Sequence, residues 1–180
     1  MFLYFLSLFF LLLIAVLSFF AIFSIYFGLF FAAPWVPIGK KDLKRLFSLT
    51  SLKDGDVLYD LGSGDGRVII KAVRDYRVKA VGFELSILLC LWAKLNIWLH
   101  GLNKQGKIKF KNFFKEDLGR ADVIICFLMP EAMEKLRNKF GEELRTGTRI
   151  ISYSFSIPGW QPVKIDKPTL KDMPIYLYQM

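Results

Sequence analysis

The stretch YDLGSGDGRV, Tyr59 to Val68, sets Gly62, Gly64 and Gly66 among Asp60 and Asp65, directly behind the apolar run VLYDL. A glycine-rich turn between a strand and a helix brings backbone N–H groups close to a ligand. Spacing decides which ligand. A P-loop needs GxxxxGK[ST], and Arg67 after Gly66 breaks that pattern. A dinucleotide loop needs GxGxxG, whereas this chain reads GxGxG, one residue tighter. An acid at the strand end, Asp60, sits badly beside a pyrophosphate and well beside an ammonium.

A second acid, Glu84, closes the apolar run VKAVGFEL. It stands about 20 residues past the loop, where a carboxylate can hold both hydroxyls of a ribose. A third, Asp117, follows the run IKFKN, where an adenine amino group could reach it. Three acids behind three successive strands surround one crevice. S-adenosylmethionine has the matching parts: an amino acid, a ribose, an adenine and a cation, with no phosphate. The expected cofactor-binding residues are Asp60, Gly62, Ser63, Gly64, Asp65, Gly66, Glu84 and Asp117.

The elements that must position these residues follow from periodicity. Leu43, Leu46, Phe47 and Leu49 mark one face of a short lead-in helix. DGDVLYDL is a turn and buried strand, Gly66 to Tyr76 a helix, VKAVGFEL a strand, and SILLCLWAKLNIWLHG a helix closed by Gly101. Strand IKFKN, loop FFKEDLGRA, strand DVIICFLM, helix PEAMEKLRNKFGEEL and strand TRIISYSF come next. PVKID and IYLYQM form a final hairpin. Strands alternating with helices predict an α/β fold: a Rossmann-like, mostly parallel seven-stranded sheet, helices on both faces, and a C-terminal antiparallel hairpin.

No charged residue occurs from Met1 to Gly39, although the 180-residue chain carries a formal charge of +9. MFLYFLSLFFLLLIAVLSFFAIFSIYFGLFFAAP exceeds the roughly 20 apolar residues of a spanning helix. It also lacks the positive n-region of a signal peptide. A transmembrane anchor over residues 1–33 is expected, then a lead-in over 34–52 and the core over 53–180. Its surplus length implies tilt or an interfacial end near Gly28 or before Pro34. KKDLKR behind it places the core on the cytoplasmic side by the positive-inside rule. A basic surface beside anionic lipid needs no nucleic acid to explain it. His100 is the single histidine, and Cys90 and Cys126 stand apart in apolar runs, so no metal site is expected.

On PWVP (Pro34 to Pro37), DLGSGDGR (Asp60 to Arg67), AVGFEL (Ala80 to Leu85), NFFKEDL (Asn112 to Leu118) and FSIPGWQP (Phe155 to Pro162), the chain resembles class I, seven-stranded S-adenosylmethionine-dependent methyltransferases. More narrowly, it is similar to the membrane-anchored protein-lysine methyltransferases typified by those acting on the adenine nucleotide translocase and the ATP synthase c subunit. The resemblance implies a membrane-bound enzyme, S-adenosylmethionine as cofactor, and a lysine of a membrane-associated protein as acceptor. Two other readings share the same anchor and cofactor site: a methyltransferase for a lipid amine or quinone, and a non-catalytic tethered module.

Methyl transfer needs the acceptor atom held near 3–3.5 Å with water excluded. Amide and exocyclic-amine acceptors in this fold use an Asn/Asp-Pro-Pro-aromatic turn after the fourth strand. Phe127, Leu128, Met129 and Pro130 stand there instead. The carbonyls of Phe127 or Leu128 are left to accept from an amine. Tyr153, Phe155 and Trp160, after the fifth strand, offer aromatic walls to an aliphatic cation at about 0.5–2 kcal/mol per contact. Core packing is the alternative role for all three. Glu131 and Asp122 are the nearest acids able to act as a base; both could equally cap the elements they precede. One helix remains odd. SILLCLWAKLNIWLHG has charge only at Lys94 and lacks a polar side, so it is either covered by the lead-in helix or rests on a membrane or the anchor.

Overall fold

The computed structural model describes the backbone of residues 2–31 and 36–180, and side chains of residues 4–23 and 36–180. Pro34, Trp35 and the expected boundary after residue 33 lie outside the described residues. Helix α1 (Phe2–Phe31) runs unbroken through Gly28. Its stretch Tyr4–Phe23 is 20 residues long, enough to cross a hydrocarbon layer about 30 Å thick. Its side chains lie open on the molecule's surface.

Helix α2 (Lys40–Thr50) turns Leu46, Phe47 and Leu49 inward. Then follow β1 (Val57–Leu61), α3 (Arg67–Tyr76), β2 (Lys79–Glu84), α4 (Ile87–Leu99), β3 (Gly106–Phe110) and β4 (Val123–Cys126). The chain closes with α5 (Pro130–Glu143), β5 (Arg149–Tyr153), β6 (Lys164–Asp166) and β7 (Ile175–Gln179). A 3₁₀ turn, Phe113–Lys115, occupies part of the expected loop. The seven strands form one sheet in the order β3-β2-β1-β4-β5-β7-β6. β1 to β5 are parallel, and β7 lies antiparallel between β5 and β6.

The chain steps outward from β1 to β3, then returns to lay β4 on the other side of β1. That reversal opens a crevice at the carboxyl ends of β1 and β4, where α/β folds bind ligands. Both faces of the sheet are covered, which is why β4 reads VIIC with every residue buried. On one face Leu58, Ile125 and Ile151 pack with Phe47, Ile69, Ala72, Ala93 and Ile97 of α2, α3 and α4. On the other, Tyr59, Leu61, Ile124 and Cys126 pack with Met133, Leu136 and Phe140 of α5. Phe140 is fully buried, so truncating it to Ala would cost about 3–5 kcal/mol. Helix α5 starts on Pro130, whose missing N–H belongs to a first turn that needs none. Helix α4 starts on Ser86, whose hydroxyl accepts from Leu89 N–H at 3.4 Å.

Candidate active site

The glycine turn is built by the strand beside it. The N–H groups of Gly62 and Ser63 both donate to the Phe83 carbonyl at 3.0 Å, tying the turn to the end of β2. Gly66 opens α3 with φ 80, in the left-handed region. A Cβ there would lie 3.1 Å from the Ala93 methyl, so only glycine lets α4 close on the turn. Asn96 of α4 reinforces that contact, donating to the Asp65 carbonyl at 3.2 Å. The Asp65 carboxylate faces Arg67, which donates from Nε at 2.9 Å and from Nη2 at 2.6 Å. Arg67 Nη1 also donates to the Ile38 carbonyl at 2.6 Å. Asp65 therefore fastens the segment leading into α2 across the turn.

Asp60 is different. Its neighbours Tyr59 and Leu61 point toward α5, so the alternation of the strand turns Asp60 to the face of α3 and α4. It is 4% exposed. Among the described residues, its Oδ2 is the buried side-chain oxygen with no hydrogen-bond partner. Burial, followed by the nearby charges of Glu84 and Asp65, pushes its carboxyl well above the usual range. A buried carboxylate without a partner, facing a crevice, is matched by a ligand that brings a cation.

Glu84, at the end of β2, is held by the backbone. Its Oε2 accepts from Gly64 N–H at 2.8 Å, and its Oε1 accepts from Leu85 and Ser86 N–H at 2.8 Å each. Burial raises its carboxyl above the usual range, against those three N–H bonds, which favour the ionised form. Asp60 and Glu84 thus flank the glycine turn. Asp117 stands elsewhere. It is exposed, its Oδ1 accepts from Gly119 N–H at 2.8 Å, and it neighbours the last turn of α5. That turn lies at the amino ends of the strands, away from the crevice. An uncharged polar side chain just past the carboxyl end of β3 is Asn112, whose Oδ1 caps the 3₁₀ turn by accepting from Phe114 N–H at 3.0 Å. The sequence pattern favours an acid after this strand and passes over Asn112, whose place directly after IKFK is the available signal.

A family model, the ANTKMT methyltransferase domain, matches residues 60–164, opening on Asp60 itself. The chain belongs to this family. A protein-lysine N-methyltransferase from Saccharolobus islandicus (strain REY15A) is 38% identical over 148 residues, covering 81% of this chain and 92% of that protein. The adenine nucleotide translocase lysine N-methyltransferase of Mus musculus is 32% identical, covering 73% of this chain and 57% of its own. A Xenopus laevis lysine N-methyltransferase named for the ATP synthase c subunit is 29% identical, with 72% and 56% covered. The chain spans just over half the length of these two animal relatives. Among solved structures, an RNA methyltransferase from Salinibacter ruber with S-adenosyl-L-homocysteine superposes with a TM-score of 0.76 at 32% identity, covering 80% of this chain and 93% of that one. A methyltransferase from Thiobacillus denitrificans with the same ligand shares the fold at a TM-score of 0.59.

The cofactor of this methyltransferase is S-adenosylmethionine, and the unpartnered Asp60 oxygen fits its ammonium. On the acceptor side, the five aromatic and apolar candidates divide between the two faces of the methyltransferase sheet. Phe127 and Tyr153 lie on the face of Asp60, their rings edge-to-face with centroids 4.8 Å apart. Tyr153 is covered by α2, and its hydroxyl donates to Asp42 Oδ2 at 2.7 Å. Burial and that carboxylate raise the phenol well above its usual range. Leu128, Phe155 and Trp160 lie on the α5 face. Leu128 abuts the glycine turn, 3.1 Å from where a Gly62 Cβ would sit. Trp160 packs between Phe140 and Tyr178, with centroids at 6.5 and 6.2 Å. Of the two acids considered as a base, Asp122 is at the amino end of β4, accepting from Val57 N–H at 2.8 Å. Glu131 lies exposed in the first turn of α5, at the crevice end.

Proposed function

We propose that this methyltransferase is anchored in a membrane by α1, keeps its core on the cytoplasmic side, and methylates a lysine of a membrane-associated protein. The observation that carries the reading is where α1 delivers the chain. Lys40, nine residues after Phe31, begins α2. The first turn of α2 sits at the carboxyl ends of the strands, since Asp42 meets Tyr153 at the end of β5. The anchor and the mouth of the crevice are therefore neighbours. Lys40, Lys41, Lys44 and Arg45 follow the uncharged segment, which favours a cytoplasmic core. Relatives named for the adenine nucleotide translocase and for the ATP synthase c subunit point to lysine in a membrane protein.

Within this reading each group has one task. When bound, the cofactor supplies a methyl carbon made electrophilic by an adjacent sulfonium. Asp60 pairs with the ammonium, and Glu84 accepts from the ribose hydroxyls while fixing Gly64. Asn112 meets the adenine edge at the end of β3. The carbonyls of Phe127 and Leu128 accept from the amine and aim its lone pair. Phe127 contributes an aromatic wall beside the lysine stem. Burial of Leu128 against the turn keeps water from that side. The amine arrives neutral, its proton having left to solvent at the mouth.

Incubating the enzyme with membranes and radiolabelled S-adenosylmethionine tests the assignment. Label in protein, released as methyllysine on hydrolysis, is the expected result. Label in the organic extract would instead select a lipid amine or quinone. Label in RNA would select the acceptor named for the Salinibacter ruber relative. Cofactor binding with no transfer to any fraction would leave only a tethered binding module.

A further inference from the structure

Helix α4 is clamped to the glycine turn by Ala93 and Asn96, and Cys90 and Ile97 on the same side are buried in the core. At 100° per residue, these side chains leave the opposite side of the helix free. That side carries Leu88, Leu91, Trp92, Leu95, Trp98 and Leu99, spread over an arc of roughly 140° if Ile87 is included at its edge. All are exposed, Trp98 and Leu99 by 63% and 64%. Neither α2 nor the rest of the sheet covers them. A contiguous apolar face of this size on a folded domain is a contact surface.

Two further observations say what it contacts. Helix α1, the candidate span, runs close to α4 in the fold yet leaves this face open. Charge points the same way. From Leu85 to Lys115 the chain has six lysines and no acid. Lys109 and Lys111 share the single carboxylate of Glu116, while Lys94 and Lys104 have no ion-pair partner among the described residues. Apolar side chains with two tryptophans, bordered by unpaired lysines, match a bilayer interface with anionic headgroups.

We propose that the outer face of α4 lies in the membrane interface and holds the crevice against the bilayer. The proposal rests on anchoring by α1. The glycine turn is packed on the inner face of the same helix, so α4 fixes the distance from bound cofactor to the headgroups. Acceptors within reach are then lysines emerging at the bilayer surface.

Three full-length proteins, each keeping one of Trp35, Trp98 and Trp160 with the other tryptophans changed to Phe, test this in nanodiscs of anionic lipid with brominated acyl chains. Emission from Trp98 should fall at least twofold relative to unbrominated lipid, while Trp160, packed on Phe140, should stay unchanged. Quenching of Trp35 without quenching of Trp98 would overturn the proposal and leave the anchor standing. If neither is quenched, the anchor reading fails with it. Trp98 shielded from both bromine and soluble quencher would mean that protein covers the face, which also overturns the proposal. In a second measurement, Leu91→Glu with Trp98→Glu should lower methylation of a membrane-embedded acceptor at least fivefold and keep cofactor affinity within twofold. Equal loss on a soluble peptide bearing the same lysine would refute the interfacial role.

Discussion

Replacing Asp60 with Asn should make the empty protein more stable and the cofactor-binding protein worse. The carboxylate is 4% exposed, its Oδ2 has no partner, and Glu84 and Asp65 add like charge. A carboxyl raised in the folded state binds its proton more tightly there than in the unfolded chain. Its stabilising contribution is therefore complete at low pH and is lost as pH climbs from the usual carboxylate range through the raised value. Asn keeps the shape without the charge. Removing the buried, unpaired charge, though not the unmet hydrogen bond, is worth about 1–3 kcal/mol at neutral pH. At roughly 2–4 °C per kcal/mol for a chain of this size, the Tm of the empty protein should rise by several degrees at neutral pH and hardly at all in acid. Binding moves the other way. A charge-assisted bond to the ammonium contributes about 1.5–3 kcal/mol, so affinity for S-adenosylmethionine should fall roughly 10- to 100-fold. Wild-type affinity should also rise with pH until Asp60 is ionised and then level off, whereas the Asn variant should lack that slope. Calorimetric titration and thermal melting of the full-length protein in detergent, over a pH series, read all three quantities. A variant that melts lower without cofactor, or binds as tightly as wild type, would refute the ammonium site.

Glu84→Ala removes the acceptor of Gly64, Leu85 and Ser86 N–H groups and should cost at least tenfold in cofactor affinity by calorimetry. Asn112→Ala should weaken binding while Asp117→Ala leaves it within twofold; the reverse order would return the adenine to the acid. Gly82→Ala would place a methyl 2.6 Å from both Ser63 Oγ and the Ile108 Cδ1 methyl, displacing the glycine turn, with a stability loss of about 1–3 kcal/mol in denaturant titration. A protease outside sealed cells should leave the core intact; cleavage there would reverse the proposed topology.

The sheet was legible because its physics is local. VLYDL and DVIIC are apolar runs bounded by turn residues, and α3 between them repeats its apolar side chains at 3.6 residues. The positions of Asp60 and Glu84 were legible for the same reason, since both stand at the carboxyl ends of strands that those apolar runs mark. The place of Asp117 was not, because four residues, three of them in a 3₁₀ turn, separate it from Asn112, and no periodicity reports where such a segment turns. The acceptor candidates failed to gather for a related reason. After β5 the chain passes from Tyr153 to Ser154, with φ 74, and this bend sends Phe155 and Trp160 to the opposite face. A left-handed serine leaves no trace in hydrophobic pattern. The bond from Tyr153 to Asp42, 111 residues apart, was equally out of reach of any local signal.

The grip of Arg67 on the Ile38 carbonyl shortens the leash on which the core is held. That fixed point stands seven positions past Phe31, the end of α1, and seven positions reach about 25 Å at most. With α1 in a bilayer, the crevice stays within about that distance of the membrane rather than ranging through the volume of the cell. A target sharing the membrane is then met by diffusion in a plane, at an effective concentration set by the leash. A soluble protein must wander within that distance by chance. Selection of the acceptor would begin with geometry, before any side chain in the crevice has touched it.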